Sequence, residues 1–167
     1  HSGEDGRGMV QVNGGSCDSF NVLLRRFGDQ EDARLGYDAT FVGDVNADGY
    51  ADVIVGAYWA DNGSINNAGE ACVVLGGPGG FPAVVHLGNL GDGGLRFFGL
   101  EESDHFGTSV AGIGDVNGDG LDDILVGAIY GDAGGTTSGE SYVIFGATDG
   151  VETNLAALDG ENGFRID

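Results

Sequence analysis

The sequence predicts an all-β fold of two four-stranded antiparallel β-propeller blades, and three observations support that prediction. Of the 167 residues, 35 are glycine and 2 are proline, although glycine averages about 7% of residues in proteins. Glycine between runs of Val, Ile and Ala indicates tight turns between short strands. The chain also repeats itself, since Gly36 and Gly56 recur 71 positions later as Gly107 and Gly127. Helical periodicity is weak throughout, with at most one turn over Leu155–Leu158.

Each repeat is predicted to contain four strands. The second strand of each is apolar on both faces, which is typical of a strand covered on both sides. Four short strands with buried inner members favour stacked sheets, in which each blade covers the face of the next. The period is too long for WD40 or kelch repeats. The predicted strands are Ala39–Val42, Val53–Ala57, Ala71–Leu75 and Leu95–Phe98, then Val110–Ile113, Ile124–Ala128, Ser141–Phe145 and Phe164–Ile166.

The repeats divide the chain into three parts. Residues 1–23 are predicted to be an N-terminal extension, with a candidate strand at Met9–Val12. Residues 24–98 hold the closing strand of a preceding blade, Leu24–Phe27, and the first full blade; residues 99–167 hold the second blade. Two blades would leave two apolar faces uncovered, and such patches mark interaction surfaces. We therefore expect self-association of the isolated chain, unless it belongs to a longer propeller.

A nine-residue loop connects the first two strands of each repeat, and it has the composition of a calcium site. Positions 1, 3, 5 and 9 carry side-chain oxygens, position 6 is Gly, and position 7 offers its carbonyl. Ca²⁺ prefers six to eight oxygen ligands around a sharp turn, and crowded carboxylates repel one another without a cation. We predict two structural Ca²⁺ ions, held by Asp44, Asn46, Asp48, the Tyr50 carbonyl and Asp52, and by Asp115, Asn117, Asp119, the Leu121 carbonyl and Asp123.

A helical alternative fits the loops less well. Dockerin modules also carry paired Asp-Val-Asn-Gly-Asp-Gly loops, between helices. A twelve-residue loop of EF-hand type needs an acidic ligand at position 12, where this chain has Val55 and Val126. The acid falls at position 9 instead, and strand-like sequence follows it.

Composition limits the other functions. The net charge of −21 disfavours binding to nucleic acid, and no apolar run is long enough to insert into a membrane. His86 and His105 have no repeated nucleophile or second His beside them, so no catalytic residues are predicted. Asp104 and His105 are expected on an exposed turn. Cys17 and Cys72 could form a disulfide or remain two thiols.

Two further pairs of polar residues recur between the repeats. Glu70 and Glu140 could contribute to a second cation site or hydrogen-bond a neighbouring loop, but solvated turn acids are the favoured interpretation. Arg96 and Arg165 recur in the fourth strand. In a chain with so few cations, we expect them to pair with carboxylates of the adjacent blade.

The motifs together resemble the FG-GAP repeats of integrin α-chain β-propellers, and of bacterial relatives in particular. The resemblance rests on Phe106-Gly107, the Gly114–Gly120 segment, Ile124–Ala128 and Ser141–Gly146, and it covers residues 24–167. The first copy has Leu35-Gly36 in place of Phe-Gly, and neither copy keeps the Pro of the family's Gly-Ala-Pro element. The resemblance implies a propeller, Ca²⁺ in the hairpin loops, and adhesion or ligand binding.

The expected function is therefore a calcium-binding module for adhesion or protein–protein interaction. We expect it to be extracellular, at a cell surface or periplasmic, with a protein or glycan ligand and no catalytic activity of its own. The alternative is a non-catalytic accessory module of a secreted hydrolase or lyase.

Overall fold

The computed structural model describes residues 33–82, 84–132 and 135–167, together with the backbone of residues 9–10 and 23–25. Single-turn 3₁₀ helices lie at Leu87–Asn89, Gly91–Gly93 and Leu155–Ala157. The strands, in chain order, are β1 Met9–Val10, β2 Leu23–Arg25, β3 Ala39–Gly43, β4 Asp52–Ala57, β5 Glu70–Val74, β6 Val84–His86, β7 Gly94–Phe98, β8 Phe106–Gly114, β9 Asp123–Ala128, β10 Glu140–Ile144 and β11 Gly163–Ile166.

The two repeats form two four-stranded antiparallel sheets, which confirms the predicted fold class. Blade 1 has the strand order β3-β4-β5-β7, and blade 2 has the order β8-β9-β10-β11. Most strands lie within one or two residues of their predicted bounds. The exception is β8, which begins at Phe106 and not at Val110, with a register shift between Phe106 and Ser109. That irregularity extends the strand over the Phe-Gly signature.

A third sheet of three strands joins the N-terminal part to the outer connection of blade 1. Its order is β1-β2-β6, and β2 runs parallel to β6. The strand predicted at Leu24–Phe27 is observed as β2, whereas β6 was not predicted. That β2 closes an earlier blade stays a prediction. Residues 11–12, 26–27 and Cys17 lie outside the described residues.

The main hydrophobic core lies between the two blades. Alternate residues of a strand point to opposite faces, so Ile54 and Val73 of blade 1 face blade 2. Ile124, Val126 and Ile144 meet them from blade 2, and all five side chains are completely buried in one cluster. The continuous apolar run of β4 is explained by burial on both sides, whereas in β9 Leu125, on the face away from blade 1, is only half-buried.

The chain itself covers the face of blade 1 that points away from blade 2. Val53, Val55 and Cys72 are buried on this side in a cluster that includes Val85 and Leu87 from the outer connection. Ala33 and Leu35 belong to the same cluster. The expectation that both outer faces are open is therefore wrong for blade 1.

The outer face of blade 2 remains partly open. Pairing across the sheet aligns Ala111, Leu125, Val143 and Phe164 in one row. Leu125 and Val143 are the repeat equivalents of Ile54 and Val73, which in blade 1 face blade 2. The row in blade 2 thus corresponds to a face that blade 1 buries against its neighbour. Phe164 is 40% exposed and Ile166 is 50% exposed. We call this row, with Ile166, the open face.

The blades approach closely at the Phe-Gly signature. Gly107 has φ +83°, and a Cβ there would overlap the carbonyl oxygen of Glu70 in blade 1. Asp38 adds a bond between the blades, since its Oδ2 accepts from the backbone N–H of Val110 at 2.9 Å. The second residue of the signature thus has to be glycine for steric reasons.

Candidate metal centres

The predicted calcium loops lie at one end of the blades, where β3 turns into β4 and β8 turns into β9. In the first loop, Asp44 accepts from the N–H of Asp48 at Oδ1, 3.1 Å, and from that of Gly49 at Oδ2, 2.8 Å. In the second, Asp115 accepts from Asp119 at 3.1 Å and from Gly120 at 2.8 Å. Each loop therefore has the same pattern of side-chain-to-backbone hydrogen bonds.

Oxygens from positions 1 and 3 converge in both loops. Oδ1 of Asp44 and Oδ1 of Asn46 both accept from the N–H of Asp48, at 3.1 and 3.2 Å. The equivalent distances to the N–H of Asp119 are 3.1 and 3.0 Å. Two side-chain oxygens close to one nitrogen are close to each other, as a shared oxygen-coordinated cation requires.

The donor set fits calcium only when its neutral oxygens are included. Among the described residues, no three Asp, Glu, His or Cys side chains form a group that could hold a metal ion. The amide oxygens of Asn46 and Asn117 and the carbonyls of Tyr50 and Leu121 are therefore needed to complete either site. Hard oxygen donors of both kinds suit Ca²⁺.

The acids at position 9 have a structural role of their own. Asp52 is completely buried, and its oxygens accept from the N–H groups of Val45, 3.0 Å, and Gly76, 2.8 Å. Asp123 binds Val116 and Gly146 in the same way, at 2.8 and 3.0 Å. Each carboxylate clamps the start of the loop to the end of the third strand. Burial raises the pKa of Asp52, against the lowering effect of these two hydrogen bonds.

The loops differ in their surroundings. Val45 of the first loop is completely buried, whereas the equivalent Val116 is 52% exposed. Asp44 and Asn46 are half-buried, while Asp115 and Asn117 are exposed. The first loop is packed against blade 2, and the second loop has no such neighbour among the described residues.

The recurring glutamates are buried, so their interpretation as solvated turn acids is wrong. Glu70 is completely buried and Glu140 is 6% exposed. Each glutamate is the first residue of the third strand of its blade and contacts the side chain two residues further along that strand. The thiol of Cys72 lies 3.1 Å from Glu70, and the hydroxyl of Tyr142 donates to Glu140 at 2.6 Å. Burial and this bond raise the pKa of Tyr142.

The recurring arginines pair within their own blade and not with the adjacent one. Arg96 Nε lies 2.6 Å from Oε1 of Glu70, because β7 pairs with β5 in the same sheet. Arg165 pairs with Asp167 at 2.6 Å at the end of β11, where both side chains are exposed. Sequence spacing could not show this, since strand pairing decides which side chains are neighbours.

A surface that sequence reasoning missed lies at the opposite end of the blades from the loops. Five rings from both blades contact one another in series, with centroid distances of 4.7 to 6.1 Å. The Arg34 guanidinium lies 4.2 Å from the Trp59 ring centre and hydrogen-bonds the Tyr58 hydroxyl at 3.1 Å. We call this surface the aromatic ridge: Tyr37, Tyr58, Trp59, His105 and Tyr130.

The ridge had a signal in the sequence. Both copies place large apolar residues directly after the second strand, where the Gly-Ala-Pro element loses its Pro: Tyr58-Trp59 and Ile129-Tyr130. Tyr37, Trp59 and Tyr130 remain 62%, 36% and 48% exposed. Exposed aromatic rings in one cluster are typical of contact surfaces.

Asp104 and His105 do not form an exposed turn. Asp104 is 4% exposed, and burial together with the negative charges of Glu140 and Glu101 raises its pKa to about 6. His105 is half-buried in the ridge, and this burial lowers its pKa. Their backbones bond to both blades, because the carbonyl of Asp104 accepts from the N–H of Tyr130 at 3.2 Å and the N–H of His105 donates to the carbonyl of Asn67 at 3.3 Å.

Comparisons with known proteins agree with the repeat pattern. The family model of the FG-GAP repeat matches residues 36–85 and 106–144, which are the first three strands and the metal loop of each blade. No helix in the described part of the chain has the length and apolar character needed to cross a membrane.

Curated relatives include integrin α chains. The chain is 36% identical over 135 residues to integrin alpha pat-2 of Caenorhabditis elegans and 34% identical over 130 residues to integrin alpha-6 of Gallus gallus, covering 72% and 76% of this chain. It is also 35% identical over 119 residues, 70% of its length, to phosphatidylinositol-glycan-specific phospholipase D of Bos taurus. It spans only 10%, 10% and 14% of these relatives.

Proposed function

The chain belongs to the FG-GAP repeat family, and we propose that it is a calcium-stabilised, integrin-α-like module for adhesion or protein–protein interaction outside the cell. Its partner would be a protein or glycan, and its setting extracellular, at a cell surface or periplasmic. The observation that supports this most strongly is the pair of equivalent oxygen-lined loops within repeats similar to those of integrin α chains.

Calcium has a structural role in this proposal. Asp44, Asn46, Asp48, the Tyr50 carbonyl and Asp52 would hold one ion, and Asp115, Asn117, Asp119, the Leu121 carbonyl and Asp123 the other. The ion would cross-link carboxylates that otherwise repel and so stabilise the hairpin at one end of each blade. Dissociation constants of about 10⁻⁴–10⁻³ M would suit an extracellular module.

Chelation tests the calcium role. At 10 mM Ca²⁺, each site with such an affinity would add about 1.4 to 2.7 kcal/mol to the free energy of unfolding. We expect thermal unfolding in excess chelator to fall by several degrees, and Asp119→Ala to lose part of the calcium effect. Asp92→Ala, an exposed acid outside both loops, is the control. Equal melting temperatures with Ca²⁺ and with chelator would refute a structural calcium role.

The aromatic ridge is the proposed contact surface for the partner. Large exposed rings provide contact area at a low cost in side-chain entropy, and the ridge is distant from the calcium loops along every strand. The chain is tested for binding to a panel of immobilised matrix proteins and glycans. Binding should fall when Trp59 and Tyr130 are both changed to Ser. Val84→Ser, at an exposed position on β6, is the control. Equal binding by both variants would exclude the ridge.

The phospholipase relative supports a second candidate, an accessory module of a secreted hydrolase. In that case the catalytic groups would lie outside this chain, which would bind or position a substrate. A test separates the two candidates: turnover of phosphoester and polysaccharide substrates by secreted hydrolases is measured with and without the added chain. Adhesion without an effect on turnover would favour the adhesion module.

A further inference from the structure

Asp122 joins the two loops across the blade interface. It is the eighth residue of the second loop, where the first loop has Ala51, so it is not a repeated ligand. Its Oδ2 accepts from the backbone N–H of Asp44 at 2.9 Å, and its own N–H donates to the carbonyl of Asp44 at 3.2 Å. Two hydrogen bonds therefore hold the first residue of the first loop from the other blade.

A second connection runs beside the first. The carbonyl of Val45 accepts from the N–H of Ala147 at 3.0 Å. The preceding residue, Gly146, donates to Oδ1 of Asp123 at 3.0 Å. Asp123 is the ninth residue of the second loop and the chain neighbour of Asp122. The start of the first loop is thus bonded to the same short segment that clamps the end of the second.

Glycine at position 43 shows how closely the loops are docked. Gly43 has φ +76°, and a Cβ there would overlap Oδ2 of Asp122. The equivalent Gly114 has φ +69°, yet a Cβ there would meet nothing within 4 Å. The backbone conformation is the same in both repeats, and only the first has the carboxylate beside it.

We propose that Asp122 is a positioning residue for the first loop, and that it couples calcium binding at the two loops, with the first loop binding more tightly. This inference rests on the proposed calcium function. A loop held in place before binding loses less conformational entropy when the ion arrives. The carboxylate of Asp122 also adds negative charge beside Asp44, which attracts a cation. Asp122 is the chain neighbour of Asp123 and is bonded to Asp44, so an ion that orders one loop also orders the other. This coupling is reciprocal, and each ion strengthens the binding of the other.

The chain provides a selective probe for the first loop. Tyr50 occupies position 7 there, whereas the second loop has Leu121. Tb³⁺ shares the preference of Ca²⁺ for oxygen ligands, and a nearby Tyr sensitises its luminescence. Tb³⁺ emission that is excited through Tyr50, and that is lost when Ca²⁺ displaces Tb³⁺, therefore reports binding at the first loop.

The experiment titrates Tb³⁺ into the wild-type chain and into variants. We expect Asp122→Ala to weaken binding at the first loop by about tenfold, within the range of ordinary coupling of about 5- to 150-fold. Asp122→Asn should have an intermediate effect, because its amide oxygen can still accept from Asp44. Asp119→Ala, which removes a ligand from the second loop only, should also weaken the first. Asp92→Ala should change the affinity less than about twofold.

Hydrogen exchange of the Asp44 amide in excess chelator gives a readout that needs no metal. Protection of this amide should fall in Asp122→Ala, and by a smaller amount in Asp122→Asn. The Asn variant still tests the proposal if the Ala variant fails to fold. Unchanged exchange, or first-loop affinities of Asp122→Ala and Asp119→Ala equal to that of Asp92→Ala, would overturn the coupling while leaving the calcium function intact. Absence of displaceable luminescence in the wild type would contradict the calcium function itself.

Discussion

At the scale of single residues, the fourth position distinguishes the two candidate calcium loops. Both loops need a positive φ there, +62° at Ala47 and +83° at Gly118. A side chain in this conformation costs roughly 1–2 kcal/mol, a cost that glycine avoids. Glycine also loses more backbone entropy on folding, about 0.5–1 kcal/mol. The first loop is thus strained at Ala47, and the second is not strained at Gly118.

The two positions give a reciprocal prediction. Ala47→Gly should raise the free energy of unfolding by up to about 1 kcal/mol, because relief of strain exceeds the entropy cost. Gly118→Ala should lower it by a similar amount. Urea unfolding of both variants checks this, with and without Ca²⁺. Opposite signs are required, and a shift in the same direction for both would contradict the strain argument.

Asp52 shows a second effect at this scale, because a candidate ligand is also a clamp. If the N–H groups of the buried Val45 and the half-buried Gly76 lose their acceptor, each is left without a partner, at about 1–3 kcal/mol for a fully buried group. Asp52→Ala should therefore destabilise the chain by at least about 2 kcal/mol even in chelator. Asp48→Ala, at an exposed candidate ligand, should have little effect on stability in chelator. Equal stabilities of the two variants in chelator would show that Asp52 acts only through calcium.

At the scale of elements, both blades have a glutamate at the start of the third strand and an arginine in the fourth, but the ion pairs of the two arginines have different environments. Glu70 and Arg96 form a pair with the glutamate completely buried, whereas Arg165 and Asp167 are exposed at a free edge. Removing one partner of a buried pair leaves an uncompensated charge. Exposed pairs contribute about 0–1 kcal/mol.

Leucine substitutions separate these environments. Arg96→Leu should destabilise the chain by about 3 kcal/mol, because Glu70 remains buried without its cation. The double change Arg96→Leu with Glu70→Leu should recover much of that loss. Arg165→Leu should cost less than about 1 kcal/mol. Denaturant unfolding measures all three, and an equal loss for Arg96→Leu and Arg165→Leu would disprove the distinction.

The connection between the blades contains a pH-dependent group. The folded pKa of Asp104, about 6, lies above the ordinary value of 3.8, so the folded chain binds its proton more tightly than the unfolded chain. The contribution of Asp104 to stability is fully present below about pH 4 and is lost as pH rises through 6. Above that pH, the charged carboxylate is desolvated and faces Glu140, Glu101 and Asp132.

Asp104→Asn should remove this dependence. The difference in unfolding free energy between variant and wild type should grow in favour of Asn between about pH 4 and pH 6, by up to about 3 kcal/mol. Urea unfolding at several pH values in chelator measures it. Asp92→Asn, an exposed acid, provides the baseline. Parallel curves for wild type and Asp104→Asn would show that Asp104 keeps an ordinary pKa.

At the scale of the whole molecule, the two ends of the blade stack differ. The chain covers the outer face of blade 1 with its own segments, whereas Phe164 and Ile166 stay exposed on blade 2. In a head-to-tail stack, blade 2 of one copy would have to pack on the outer face of blade 1 of the next, and that face is already covered. Self-association, if it occurs, would therefore pair the open faces of two copies in an isologous dimer.

A charge on the open face tests this. Phe164→Glu should shift the isolated chain towards monomer, because a carboxylate would be buried at the interface without a partner. Val84→Glu, at a similarly exposed position on β6, should leave association unchanged. Light scattering with size exclusion measures the mass. A wild-type chain that stays monomeric at high concentration would refute association through this face.

Much of the fold could be predicted because its signals are local. The second strands, Val53–Ala57 and Ile124–Ala128, are apolar runs whose meaning does not depend on distant residues. The loops between the strands are defined by residue spacing alone. The burial of Glu70, the pairing of Arg96 and the contacts within the aromatic ridge could not be predicted, because they depend on strand pairing and on which blade is the neighbour.

The sequence by itself determined the repeat, the four strands of each blade, the family and the candidate ligands, but not β6 or the full length of β8. Turn geometry and hydrogen bonding within a hairpin are set by residues a few positions apart. Only the tertiary structure decided that Val45 is buried and Val116 exposed, and that Asp122 reaches the other loop. Two repeats with the same strand pattern acquire different properties because stacking gives the first a neighbour on its loop, whereas the second has none among the described residues. Position in the stack therefore distinguishes two loops whose sequences look equivalent.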